Sequence, residues 1–195
     1  FEKAENVEVQ IEAFDEIIKL RNHIETMQTL VSVRHSIDTN DEFYDKENEY
    51  MDEISPILFG FTNDFYKALV NSKFKDELIQ KYGKFLFDLA ENTLKTFSPE
   101  IIPDAQEENR LSSKYSKLIA SAKIQFDGEE KNLSEMVPYT QSKDRNVRIE
   151  ASKKVAHFFK ENKDEFDKIY DGLVKVRTTI AQKLGYKNYV ELGYA

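Results

Sequence analysis

The residues able to do hydrolytic or redox chemistry are few. Among 195 residues there are three histidines, His23, His35 and His157, and no cysteine. Disulfides and thiolate metal sites are therefore excluded. A zinc-hydrolase helix of the H-E-x-x-H type needs two histidines four residues apart, with a glutamate directly after the first. His23-Ile24-Glu25 does not meet that pattern. The glutamate comes one place late, and Met27 stands where the second histidine should be. His157 and Glu161 are four apart, with Asp164 and Glu165 continuing the same stripe. They could offer two ligands, but a charged, solvated helix face explains them better, because two-residue sites bind weakly. His35, between Arg34 and Ser36, reads as a structural residue near a helix end.

Nucleophilic and phosphate-handling patterns are also missing. The sequence has no G-x-S-x-G elbow, no G-x-x-x-x-G-K-[ST] loop and no G-x-G-x-x-G turn. The acidic pairs Glu107-Glu108 and Glu129-Glu130 are adjacent in sequence, so their side chains diverge on a helix or a strand and cannot share one substrate. Two arginines, Arg145 and Arg148, follow Ser142 and Asp144 at the start of a helical pattern. Ser142 and Asp144 are expected to cap it, and the arginines to form structural ion pairs. Bidentate capture of a peptide carboxylate makes Arg145 and Arg148 the weak substrate-binding candidates of the chain. Tyr186, Tyr189 and Tyr194 read as residues that pack a ring and hydrogen-bond a hydroxyl. No catalytic residue and no metal ligand is expected in this segment.

The elements that would carry these residues are mostly helices. Apolar residues make up 40% of the chain and charged residues 33%, while there are only 6 Gly and 4 Pro. Few turns and many charges suit long helices with solvated faces. The formal charge of −8 disfavours a phosphate backbone as partner, and Lys153-Lys154 is the nearest approach to a basic run. No apolar stretch reaches the length of a membrane span, and no signal peptide is visible. These features fit a cytoplasmic protein without nucleic-acid or membrane partners. The first residue is Phe1 rather than Met, which raises the expectation of a piece of a longer chain.

Helical periodicity begins near Asn6, with Ile17, Leu20, Ile24, Met27 and Val31 spaced three and four apart, and Ile11 and Phe14 extending the stripe. The polar stretch from Asp38 to Asp41 breaks it. A second pattern follows through Phe43, Tyr50, Ile54 and Ile57, predicting an antiparallel hairpin. Gly60 is expected to end this helix before a third segment with Phe65, Leu69 and Val70. Phe74, Leu78, Tyr82, Phe85 and Leu89 predict a further helix that passes through Gly83. Ser98-Pro99 is a helix-start signal, and Leu111, Tyr115 and Leu118 mark the helix that follows. Ala122, Ile124 and Phe126 alternate with polar residues and lead into Asp127-Gly128, which predicts a β-hairpin near 122–133 as the only sheet. The last pattern runs from Ser142 to Leu184, with Asn162 and Gly172 as the expected places for a break. Gly185 is the expected C-terminal cap, and a short helix begins at Asn188. The fold class is all-α: long antiparallel helices with one small hairpin. Residues 1–98 are expected to form a helical N-terminal lobe, and 99–195 a second region of helix, hairpin and long helix.

Several stretches carry a family resemblance. Ser113–Leu133 (SKYSKLIASAKIQFDGEEKNL), Pro138-Tyr139 and Ser142–Arg148 resemble the oligoendopeptidase F branch of the thimet-oligopeptidase-like zinc metallopeptidases. So do Ile169–Arg177, Ala181–Tyr186 and Tyr189–Tyr194. The resemblance covers about 43–195 in pattern and is specific from Ser113 onward. It implies a nearly all-helical fold with a small hairpin before a long helix. In that family an H-E-x-x-H motif and a distal glutamate hold zinc, and the motif glutamate activates the water that attacks a peptide bond. Those residues lie beyond the position matching Ala195, so none maps onto this chain. The resemblance implies a segment without the catalytic domain and inactive alone. Its helices would wall a channel for oligopeptides, and its partner would be the missing C-terminal catalytic half with its zinc. The competing reading is a free-standing helical interaction module without catalytic activity.

Overall fold

The computed structural model describes residues 1–194. Nine α-helices and one two-stranded sheet are present among them. The chain divides into two compact units. One comprises residues 1–107 together with those from Arg177 onward, and the other residues 108–176.

The first unit opens with α1 (Val7–Ile37), whose Asn6 cap accepts from the Val9 amide at 2.9 Å. The helix ends before Asp38, whose side chain accepts from Asn40 and shapes the connection. Asp41 then caps α2 (Glu42–Val70), accepting from the Phe43 and Tyr44 amides. Cross-links between the two helices run in reverse order: His35 with Asp45, Gln28 with Ser55, Arg21 with Tyr66. Falling numbers on one helix against rising numbers on the other show an antiparallel hairpin. At its base, buried Gln10 accepts from Ser72 and donates to the Phe1 carbonyl.

Gly60 does not end the second helix, contrary to the sequence expectation. α2 runs unbroken through both Pro56 and Gly60. A mid-helix glycine costs about 1 kcal/mol relative to alanine, and a proline about 3 kcal/mol. Burial of Phe65, Tyr66 and Leu69 on the same helix outweighs these costs. Gly60 lies against the Phe97 ring, where a Cβ would make an ordinary contact at 3.5 Å.

The opposite error occurs at Gly83. Its φ of 86° splits the expected single helix into α3 (Lys75–Tyr82) and α4 (Lys84–Thr93). The break resets the helical phase. Phe87 and Ala90 enter the core with Phe14, Phe65, Leu69 and Leu78, and Phe85 stays 79% exposed. Tyr82 stacks on Phe14 and donates to Asp15 at 2.9 Å; burial and that hydrogen bond push its hydroxyl up to about 12. Ser98 caps a short 3-10 turn (Pro99–Ile101), after which α5 (Ile102–Ala120) begins earlier than its periodicity suggests.

The second unit holds the hairpin. β1 (Ile124–Phe126) pairs antiparallel with β2 (Glu129–Lys131), in the register Gln125 opposite Glu130. Asp127 and Gly128 both take positive φ, 54° and 79°, as a tight primed turn requires. An Asn132–Glu135 capping box starts α6 (Leu133–Thr140), a helix absent from the sequence reading. Asp144 caps α7 (Arg145–Glu161). The long last pattern breaks at Asn162, whose side chain donates to the Phe158 carbonyl, and α8 (Lys163–Lys183) follows. Gly172 remains inside α8, and Leu111 approaches the site of its missing Cβ to 3.1 Å. The core here is Ala122, Ile124, Met136, Ala151 and Phe158.

Back in the first unit, Gly185 ends α8 at φ 85°. Its amide donates to the Gln182 carbonyl and that of Tyr186 to the Ala181 carbonyl, closing the helix end. Asn188 caps the short α9 (Tyr189–Gly193).

Candidate functional site

One concavity lies along the α1–α2 hairpin, within the first unit. It is a groove of about 510 Å³. Ile17, Leu20 and Ile24 form one wall, and Leu58, Phe59, Phe61 and Phe65 the other. Both walls follow from helix geometry, since residues three and four apart share a face. Leu58, Phe61 and Phe65 repeat in that way, as do Ile17, Leu20 and Ile24. The groove's apolar lining is open to solvent: Leu20 is 61% exposed and Phe61 66%.

Polar groups on the groove are held in place. Arg21 donates to the Tyr66 hydroxyl at 3.4 Å, pairs with Glu25 at 3.4 Å and lies over the Tyr66 ring. Gln28 donates to Ser55, whose own hydroxyl donates to the Met51 carbonyl. The apolar surface does not stop at the groove. Phe43, Tyr50, Ile57 and Phe61 are all exposed along α2, and Leu20, Met27 and Leu30 along α1. Exposed apolar side chains in this number on one helical hairpin suit a face that packs against other apolar groups. Chemically the groove can accept apolar side chains or a packed helix. Its lining holds no histidine, and its one carboxylate, Glu25, is paired with Arg21.

The residues singled out from the sequence are not brought together. His23 is exposed on α1. His35 is buried in the last turn of that helix, with Nε2 3.1 Å from an Asp45 carboxylate oxygen. His157 and Glu161 do pair, at 3.1 Å, on an exposed face of α7. Among the described residues no three His, Asp or Glu side chains converge as metal ligands. The residues present therefore do not fit a zinc site. Glu129 turns to Lys131 and Glu130 to Gln125, so that acidic pair does diverge. The hydrogen bond from Lys131 holds the Glu129 carboxyl below its ordinary range.

For Arg148 the expectation of an ion pair is corrected. Its Nη1 donates to the backbone carbonyls of Ser142 and Lys143, at 2.6 and 3.0 Å. The loop before α7 turns back over the helix and leaves carbonyls, rather than carboxylates, within reach. Arg145 is exposed at the first position of α7. Tyr186 packs and donates to the Lys95 carbonyl, Tyr189 lies under Arg177, and Tyr194 is 91% exposed.

Ile17, Leu20 and Ile24 are legible in the sequence as a stripe, whereas Leu58, Phe59 and Phe61 gain a common face only from the fold. The available signal was the doubling of apolar positions around Phe59 and Phe61, more than one buried stripe needs.

Comparison with known proteins gives a consistent result. Residues 1–97 match a family model described as the Peptidase M3 N-terminal domain. Three solved structures align over nearly the whole chain. A structure of PZ peptidase A with an inhibitor is 55% identical, with a TM-score of 0.96, over 98% of this chain and 34% of its own. A candidate oligoendopeptidase F is 52% identical, with a TM-score of 0.96 and the same coverage. Another, from Bacillus anthracis str. Ames, is 50% identical, with a TM-score of 0.97, over 100% of this chain and 36% of its own. The chain thus spans about a third of the length of these relatives. No curated protein gives a significant match. Among the described residues no helix is long and apolar enough to cross a membrane.

Proposed function

The chain belongs to the M3 peptidase family, as its N-terminal part, and from that premise we propose that it serves a zinc endopeptidase acting on oligopeptides. In this reading the segment supplies one wall of the substrate channel and no catalytic group. Zinc and the water-activating glutamate belong to the part of such an enzyme that this segment does not contain. The observation that carries the proposal is the likeness over the entire chain, at half the residues identical or better, to proteins described as oligoendopeptidases.

Two further features support it. A structure of PZ peptidase A with an inhibitor is similar over 98% of this chain at 55% identity. The α1–α2 groove and the apolar surface beside it offer a face for peptide side chains or for the rest of the enzyme. Peptides and other apolar partners are also more compatible with an acidic chain than nucleic acid is.

The test compares the isolated 195-residue chain with the protein extended to the length of its relatives, using a quenched fluorescent oligopeptide. The extended protein should cleave it in a zinc-dependent manner, and the isolated chain should not. Replacing Leu20 or Phe61 with aspartate in the extended protein should lower kcat/KM by about tenfold with zinc content unchanged, because a misplaced wall costs positioning and not metal. Cleavage by the isolated chain at a comparable rate would defeat the proposal.

A further inference from the structure

A second concavity lies in the other unit, where the end of α6 meets one face of α7. It is a shallow depression lined by Thr140, Arg148, Ile149, Ser152, Lys153 and Ala156. Arg148, Ser152 and Ala156 are spaced by four residues on α7, and Ile149 and Lys153 form the adjacent row, so helix geometry places all five on one surface. We propose that this depression binds the carboxylate of a small apolar acid, such as the C-terminal end of a peptide finishing in an apolar side chain.

The argument begins with Arg148. Two backbone carbonyls hold its Nη1, so the guanidinium is fixed before any ligand arrives. Its remaining donors need no further ordering to meet an anion, and a planar fork suits a carboxylate. Lys153 adds a second cation. Its bond to Glu150, at 2.8 Å, joins two well-exposed side chains and contributes little, so Lys153 can turn to a ligand. Ser152 is exposed, with its hydroxyl on the same surface. Thr140 already donates to the Val137 carbonyl and serves as wall rather than donor.

Charge and shape then select the ligand. Residues 143–154 hold five basic and two acidic side chains, a local charge of +3 on a chain whose total is −8. Arg148 and Lys153, with Glu150 beside them, leave the depression a single net positive charge. That matches a monoanion better than a phosphate dianion. Ile149, 41% exposed, and Ala156 give the site an apolar side that inorganic anions cannot use. This inference does not depend on the peptidase reading.

The test is an amide NMR titration of the whole chain with N-acetyl-leucine, with its uncharged amide and with inorganic phosphate. N-acetyl-leucine should shift the Ser152 and Lys153 signals with a Kd on the order of 1 mM, a reasonable affinity for so small a ligand. Lys153→Gln should weaken binding about threefold, as loss of an exposed charge pair does. Ser152→Ala should weaken it by a similar factor, about that of one hydrogen bond. Arg148→Gln should abolish binding, and the first two variants keep the test valid if it also loosens the loop before α7. Equal binding of the amide would overturn the proposal, as would tighter binding of phosphate or unchanged affinity in both fold-neutral variants.

Discussion

Phe87→Ala destabilises the first unit by about 3–5 kcal/mol, while Phe85→Ala, two residues away, changes stability by less than about 0.5 kcal/mol. Phe87 is 2% exposed and among the largest fully buried side chains. It packs with Leu69, Leu78, Phe14, Phe65 and Ala90, which come from four different helices. Its removal leaves a cavity that those helices cannot close independently, and a loss of this size is a large share of the about 5–15 kcal/mol that holds a typical domain together. Phe85 faces solvent, so its truncation removes almost no packing. Urea unfolding of both variants reads the difference directly. Equal losses would mean that Gly83 does not reset the helical phase, and that one continuous helix with Phe85 inside is correct.

The second large effect lies in the other unit. Met136→Ala should cost about 2–5 kcal/mol and release the β-hairpin. Met136 is fully buried and packs in the cluster with Ala122 and Ile124 at the first strand and with Ala151 and Phe158 of α7. Strands of three residues cannot stand alone in water and depend on what covers them. Hydrogen exchange at the hairpin amides should therefore accelerate together with the loss of stability. The neighbouring Val137 is 45% exposed, and its truncation should leave both nearly unchanged. A hairpin that keeps its protection in Met136→Ala would show that the turn and strand pairing alone sustain it.

Local chemistry made much of the fold readable. Asn6, Asp41, Asp127-Gly128, Gly185 and Asn188 each act on their own neighbours, so their roles follow from residue type and position. Gly60 and Gly83 show where this logic stops. Both are glycines within helical patterns, yet one continues a helix against Phe97 and the other breaks one. The difference comes from tertiary packing that no local window contains. The α6 helix was legible in principle from Asn132 and Glu135, whose reciprocal capping defines its start, but its eight residues are too few for a clear period.

The candidate site was less legible than the fold. Periodicity identifies which residues share a face but not whether that face is covered. Leu20 and Met27 lie on the same stripe as buried Val31 and remain exposed. Arg148 shows the same limit for polar groups: its partners are carbonyls in a loop, invisible to a search for carboxylates at helical spacing. Family resemblance supplied what physics alone did not, by relating a helical segment to longer proteins described as oligoendopeptidases.

The most direct test of the central claim is to read the coding frame beyond the codon for Ala195. The account predicts an open frame that reaches H-E-x-x-H within a helical pattern, followed by a distal glutamate. A stop codon immediately after Ala195 would contradict it, and the exposed α1–α2 face would then belong to a helical interaction module instead.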